Sequence, residues 1–260
     1  MIDSGIELIE SPWNVDGEIF AAVSCRGDLS LHSACLEQGF RGLNLAMHVG
    51  DMIDRVSANR EALAAQFPNE LHWHWLDQVH GTDVANLDLE ADVAMTADAA
   101  VSSTPNRVCG VLTADCLPVF FYSPREKRVA VAHAGWRGLV SGVLESTLAH
   151  FEAPASQLSV WLGPAIGSCH FEVGDEVREI FLNSNDSARV KDDIAQAFVP
   201  AKEAGKFNAD LYALAALRLG SAGVQEIVGG EFCTHCDADR FYSYRREPVC
   251  GRMLSMIYIK

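Results

Sequence analysis

The sequence predicts an α/β protein, a mixed αβ sandwich with mixed β-sheets flanked by helices, and not a regular Rossmann or cupredoxin fold. Three observations lead there. Short apolar runs rich in Val, Ile, Leu, Phe and Trp, bounded by Gly, Pro or Asp, alternate with segments of helical period. Several of these runs follow one another too closely for parallel crossovers, which need a dozen or more residues. The chain has 260 residues, 49% of them hydrophobic, which is ample for a packed core. No Ser/Gly/Pro linker, charge block or internal repeat divides it, so residues 1–260 read as a single domain.

In chain order, strands are expected at Ile19–Ser24, Leu71–Gln78, Val108–Leu112, Val119–Tyr122, Val129–His133, Leu158–Leu162, Glu226–Val228 and Met253–Ile259. Helices are expected at Asp54–Gln66, where Val56, Leu63 and Phe67 mark one face, then at Gly138–Phe151 and Asp175–Asn183. A last helix spans Ala209–Ala222, where Leu211, Leu214, Ala215 and Leu219 form the stripe. The three close neighbours Val108–Leu112, Val119–Tyr122 and Val129–His133 are the reason the sheet is expected to be mixed.

Thirty-five acidic against twenty basic residues give a net charge of −15, a surface that repels nucleic-acid phosphates and anionic lipid. The N-terminal stretch has no basic region followed by a long apolar one, and no apolar run approaches the ~20 residues that span a bilayer. A soluble, cytoplasmic protein with no nucleic-acid or membrane partner is expected. Eight cysteines in such a chain read as reduced thiols or metal ligands, not a disulfide framework.

Three short stretches carry most of the chemistry: QVHG at Gln78–Gly81, ADC at Ala114–Cys116 and HAGWRG at His133–Gly138. Each places a metal-ligand type, His80, Cys116 or His133, at the end of an apolar run, where strands end and sites form. Two imidazoles and a thiolate suit zinc whose fourth position stays open. Cys116 and His133 lie 17 positions apart, enough for a hairpin that returns the second beside the first. Read as residues alone, two polar histidines and a buried thiol remain the alternative.

These stretches occur in order with GLNLAMHVGD, ANREAL, ADAAVS, LTADCLP, LGPAIG, FEVG, the pair Cys233–Thr234, FYSYRR and a closing GRM. Together they resemble the bacterial laccase-domain family, whose members have been called polyphenol oxidase, purine nucleoside phosphorylase and peptidoglycan editing factor. The resemblance runs from about Gly42 to Met253. SCRGDLS, from Ser24, departs from a longer stretch usual in the family and leaves one loop beside the site unspecified.

The resemblance implies a single αβ sandwich, a monomer, with zinc held by His80, Cys116 and His133 and copper able to substitute. It implies phosphorolysis of adenosine, inosine, guanosine and methylthioadenosine, so that purine nucleosides and phosphate are the expected partners, together with deamination of adenosine. His80, Cys116, His133 and Asp98 are the expected catalytic residues, and Asn44, Arg60 and Arg137 the expected substrate-binding ones. Asp98 otherwise reads as a turn cap. Arg60 otherwise reads as half of a helix-surface ion pair, and Arg137 as a strand–helix cap; a guanidinium fork also suits a phosphate co-substrate.

Other readings stay open. Cys116 with His133 as base could serve acyl or amide hydrolysis, including removal of a misincorporated serine from a muropeptide precursor. A non-enzymatic metal-binding or redox partner is a further class. Copper-dependent phenol oxidation finds little support, since His72 and His74 form the only HxH and read as surface strand histidines. Cys233, His235, Cys236 and Cys250 suggest a zinc ribbon, but one CxxC supplies half of a closed site, so reduced structural thiols are expected. Glu172 with Arg245 and Arg246 reads as a buried network, and GPAIG as a tight turn lining the pocket, since it lacks the Lys-Ser/Thr of a phosphate loop.

Overall fold

In a computed structural model, residues 6–27, 38–89, 95–184 and 188–260 are described. Alternation of side chains along the strands builds the architecture. In the strand Leu117–Ser123, Val119 and Phe121 pack with helices while Phe120 turns to the opposite face. In Arg128–Ala134, Ala130 and Ala132 take the helical side, and Val129 and Val131 the other. Both faces are apolar, so these strands are near-continuous hydrophobic runs, as expected for a sheet covered on both sides.

This sheet has six strands in the order Glu226–Gly229, Ser159–Leu162, Leu117–Ser123, Arg128–Ala134, Ala99–Ser102 and Val84–Asn86. The two outermost pairings are parallel and the three inner ones antiparallel. A second sheet orders Leu8–Glu10, Ile19–Ser24, Met253–Ile259, Arg107–Thr113 and His72–Trp73, antiparallel except for the last pair. The sheets meet through Ile19, Val23, Cys109, Val111, Met253 and Ile257 of one and Phe120, Val129, Val131 and Trp161 of the other. Helices cover the outer faces. Leu139, Val143, Leu211, Leu214 and Leu219 pack on the six-stranded sheet, and Leu63 packs on Ala22, Val108, Leu254 and Met256 of the five-stranded one. The order helix, sheet, sheet, helix is a mixed αβ sandwich.

The expected hairpin forms. Leu117–Ser123 pairs with Arg128–Ala134 in a register that sets His133 opposite Pro118 and Ala134 opposite Leu117, so Cys116 emerges beside His133. The helix at Leu211–Ser221 begins at Asp210, whose carboxylate accepts from Ala213 N–H at 3.0 Å, a side-chain cap that fixes its start.

Three expectations change. The single helix over Gly138–Phe151 is two helices, Trp136–Ser141 and Val143–Leu148, broken where Gly142 adopts φ 103°, a conformation that costs glycine no steric clash. The strand over Leu71–Gln78 is two short pieces, His72–Trp73 and Leu76–Asp77, that join different sheets. His72 is exposed as expected, but His74 is buried, its Nδ1 3.1 Å from the His72 carbonyl. Of the departing loop after Ser24, Asp28–Ser30 lie outside the described residues.

Phe120 is fully buried and stacks on Trp161 with ring centroids 4.5 Å apart. Phe120→Ala should therefore destabilise the protein by about 3–5 kcal/mol in a denaturant titration, as core phenylalanine deletions do. A loss below about 1 kcal/mol would contradict the packing of the two sheets.

Candidate metal centre

Three segments converge at one end of the central hairpin of the six-stranded sheet. His133 ends Arg128–Ala134, Cys116 directly precedes Leu117–Ser123, and His80 lies in the loop after Leu76–Asp77. Their ligand atoms all lie within 4.8 Å of one another, with Cys116 Sγ 4.0 Å from His80 Nε2 and the two imidazole centroids 4.7 Å apart. His133 is buried, Cys116 half-buried and His80 exposed, so the cluster opens to one side.

Asp98 organises it. The carboxylate is fully buried and accepts three consecutive backbone N–H groups, Val79 at 3.1 Å, His80 at 3.0 Å and Gly81 at 2.6 Å. Its Oδ1 also lies 2.8 Å from His133 Nδ1, and its own carbonyl accepts the His133 N–H at 2.7 Å. Burial pushes the Asp98 carboxyl up, but the hydrogen bonds from His133, Gly81 and Val79 and the His133 charge outweigh it and hold it below its ordinary value. His80 sits at φ 59°, a left-handed conformation that costs a non-glycine residue ~1–3 kcal/mol and is held by these bonds.

The donor set fits a metal. With Nδ1 of His133 turned to Asp98, Nε2 faces the Cys116 sulfur and is the atom that would ligate, the usual carboxylate–histidine support of a bound ion. Burial raises the Cys116 thiol pKa, but the His133 charge and hydrogen bonds from both histidines bring it down to about 6. Burial lowers His133, while the Cys116 thiolate and the Asp98 bond lift it to about 9. The pair is poised as thiolate and imidazolium, and a divalent ion would take the proton's place. Gly135 leaves room for it: a Cβ there would lie 2.9 Å from Cys116 Sγ and 3.1 Å from His80 Cδ2.

The cluster lies on the wall of a cavity of about 450 Å³, also lined by His48, Gln78, Asp115, Trp136, Arg137, Ile166, Phe171, Tyr244, Arg245 and Arg252. Gln78 clamps its rim, donating to the Leu112 carbonyl at 3.0 Å and accepting the Leu112 N–H at 2.7 Å. Asp115, at φ 87°, accepts from Thr234 Oγ1 at 2.6 Å and from the Arg245 N–H at 2.7 Å. GPAIG contributes Ile166, whose N–H bonds the Asp115 carbonyl at 2.9 Å.

The structure thus brings His80, Cys116, His133 and Asp98 together and sets Arg137 on the same cavity. Arg137 is exposed, lies over Trp136 and has no hydrogen-bond acceptor among the described residues. Two of the expected substrate-binding residues lie away from this cavity. Asn44 is fully buried, bonded to Asp51 at 2.8 Å and to Ala46 and Arg252 backbone groups, and it does not line the cavity. Arg60 does not line it either: its guanidinium stacks 3.5 Å over Trp75 and donates to the Leu45 carbonyl. The Glu172 network is also different, since its side chain is exposed and Arg245 bonds its carbonyl instead. Sequence reading missed Gln78, Asp115, Arg245 and Arg252 as wall residues, although all four stand inside or beside the quoted motifs.

A thiol, two imidazoles and a cavity with three arginines on its wall make a metal-ligand site beside a small-molecule pocket. The chain belongs to the family described as multi-copper polyphenol oxidoreductase laccase, which it matches over residues 31–260. It is 45% identical over 254 residues to the purine nucleoside phosphorylase YfiH of Escherichia coli, covering 97% of this chain and 99% of that one. A purine nucleoside phosphorylase of Pseudomonas aeruginosa is 43% identical, over 95% and 96% of the two chains. Among solved structures, a Neisseria meningitidis protein superposes with a TM-score of 0.86 at 38% identity, covering 97% of this chain and 99% of its own. A Bacillus licheniformis hypothetical protein YfiH gives 0.85 at 26% identity, over 100% and 98%.

Asp98→Asn replaces one acceptor by an NH₂ that faces donors. It should cost about 2–3 kcal/mol of stability and weaken Zn²⁺ binding at this centre roughly 10–100-fold, read by chemical denaturation and by competition with a chromophoric chelator. Unchanged stability and unchanged zinc affinity would contradict the role assigned to Asp98.

Proposed function

We propose that this protein is a zinc-dependent purine nucleoside phosphorylase acting on adenosine, inosine, guanosine and methylthioadenosine, with adenosine deamination as a second activity. The observation that carries the reading is that His80, Cys116 and His133 share one cavity wall with Arg137, Arg245 and Arg252. The names of the relatives support it.

Phosphorolysis forms a bond from a phosphate oxygen to ribose C1′ while the C1′–N9 bond breaks and its electron pair leaves with the purine. The ribosyl centre passes through an oxocarbenium-like state, so the chain must hold an anion on one face and the base on the other. In a protein of net charge −15 a dianion needs a local cationic clamp. Arg137 suits it best, because its fork has no acceptor of its own among the described residues, whereas Arg245 and Arg252 already donate to backbone carbonyls. Trp136, Phe171 and Tyr244 offer aromatic faces against which a purine can lie. His80, Cys116 and His133 would hold zinc, which supplies Lewis acidity at this wall. Asp98 keeps His133 oriented throughout, and Asp115 fixes the Arg245 backbone beside the pocket.

A second reading is favoured by the Cys116 thiol, held near pKa 6 beside His133. Such a thiolate also suits nucleophilic hydrolysis of an acyl or amide bond, including muropeptide editing. Zinc that shields Cys116 from alkylation supports the phosphorylase; a metal-free, readily alkylated Cys116 supports the hydrolase.

Inosine should yield hypoxanthine and ribose 1-phosphate only when phosphate is present, measured by chromatography of both products. Base release that is equally fast without phosphate would make the protein a nucleoside hydrolase. Arg137→Ala should raise the phosphate KM about tenfold or more, the worth of one charge-assisted bond, with a smaller change in the nucleoside KM; equal changes in both would remove Arg137 from the clamp. Cys116→Ala should lose both the zinc of this centre and phosphorolysis, and full activity in that variant would contradict the assignment.

A further inference from the structure

Sequence reading finds a single CxxC, Cys233–Cys236, and therefore half of a closed metal site. The fold supplies the other half. The loop after Ser159–Leu162 brings Cys169 and His170 against Cys233 and Cys236, and the four ligand atoms all lie within 4.8 Å of one another. Cys169 Sγ is 3.5 Å from Cys233 Sγ and 3.6 Å from Cys236 Sγ. His170 Nδ1 is 3.3 Å from both Cys169 Sγ and Cys236 Sγ. Zinc–sulfur bonds of about 2.3 Å and zinc–nitrogen bonds of about 2.0–2.1 Å give tetrahedral edges of ~3.8 Å between sulfurs and ~3.6 Å from sulfur to nitrogen. The observed spacings match those edges to within a few tenths of an ångström.

The surroundings are those of a held ligand set. The Gly167 N–H points at Cys233 Sγ from 3.2 Å, and the Cys236 backbone N–H also bonds that sulfur, so each of the two loops directs one donor at it. The His170 ring stacks on His235 with centroids 3.8 Å apart, which fixes its plane. A disulfide accounts for the cluster less well. Cys169 is nearly equidistant from two thiols, and a disulfide would leave the third thiol and the imidazole without a role.

We propose that Cys169, His170, Cys233 and Cys236 form a second metal site, a closed Cys₃His centre for a single zinc ion, separate from the one at Cys116. Four protein ligands leave no open position, so its role is structural. It cross-links the loop that carries Ile166 and Phe171 to the one that carries Tyr244 and Arg245, and so braces the part of the cavity wall these residues form. The inference does not depend on the phosphorylase reading, because it needs no substrate.

The test is zinc content by elemental mass spectrometry on full-length protein purified under reducing conditions and reconstituted with Zn²⁺, then freed of excess metal. Two zinc ions per chain are expected in the unaltered protein, one in Cys236→Ser and one in Cys116→Ala. Cys169→Ser serves as an independent variant should Cys236→Ser fail to fold. Loss of the second zinc should also lower Tm, while Zn²⁺ bound at the Cys116 centre remains. One zinc per chain in the unaltered protein, retained by both serine variants, would overturn the proposal. So would a Cys169 disulfide to Cys233 or Cys236 whose reduction restores no zinc binding.

Discussion

A carboxylate buried without donors would cost several kcal/mol, and Asp98 meets that constraint by gathering four N–H groups from two separate segments. The solution builds the site. Three consecutive backbone donors from Val79 to Gly81 can reach one carboxylate only if the chain curls around it, and that curl puts His80 in the left-handed region with its ring turned toward Cys116. The fourth donor, His133 Nδ1, fixes one tautomer and aims Nε2 at the same point. A single side chain thereby sets two of the three candidate ligands.

The third candidate ligand comes from sheet geometry. The hairpin register that pairs Ala134 with Leu117 delivers Cys116 next to His133, and the absence of a side chain at Gly135 lets the sulfur approach. The hairpin lies at the centre of a six-stranded sheet whose two faces are both buried, so the register cannot slip without turning apolar side chains to the wrong layer. Stability of the sandwich and precision of the centre are in this sense one property. Next to Cys116, Asp115 repeats the device with the Thr234 hydroxyl and the Arg245 N–H, tying a distant loop to the cavity.

Much of this was legible in the sequence. The layered fold followed from strand runs too closely spaced for crossovers, and the spacing from Cys116 to His133 anticipated the hairpin. Less local features were not. Arg60, expected at the phosphate, lies off the cavity on Trp75 and the Leu45 carbonyl, partners that stand far along the chain in either direction. Asn44 is likewise taken up by Asp51 and the backbone of Ala46 and Arg252. The break at Gly142 hides inside a good helical period because glycine there interrupts conformation without interrupting hydrophobicity. Cys169 and His170 carry no sequence signal toward Cys233 and Cys236; only the parallel pairing of Ser159–Leu162 with Glu226–Gly229 brings their following loops side by side.

In the proposed function, His80, Cys116 and His133 converge on one ion under the control of Asp98. Zinc-edge X-ray absorption on Cys236→Ser protein, which isolates this centre, tests that most directly. A shell with one sulfur at about 2.3 Å and two imidazole nitrogens at about 2.0–2.1 Å is expected. A shell without sulfur, or one with a single imidazole, would contradict it.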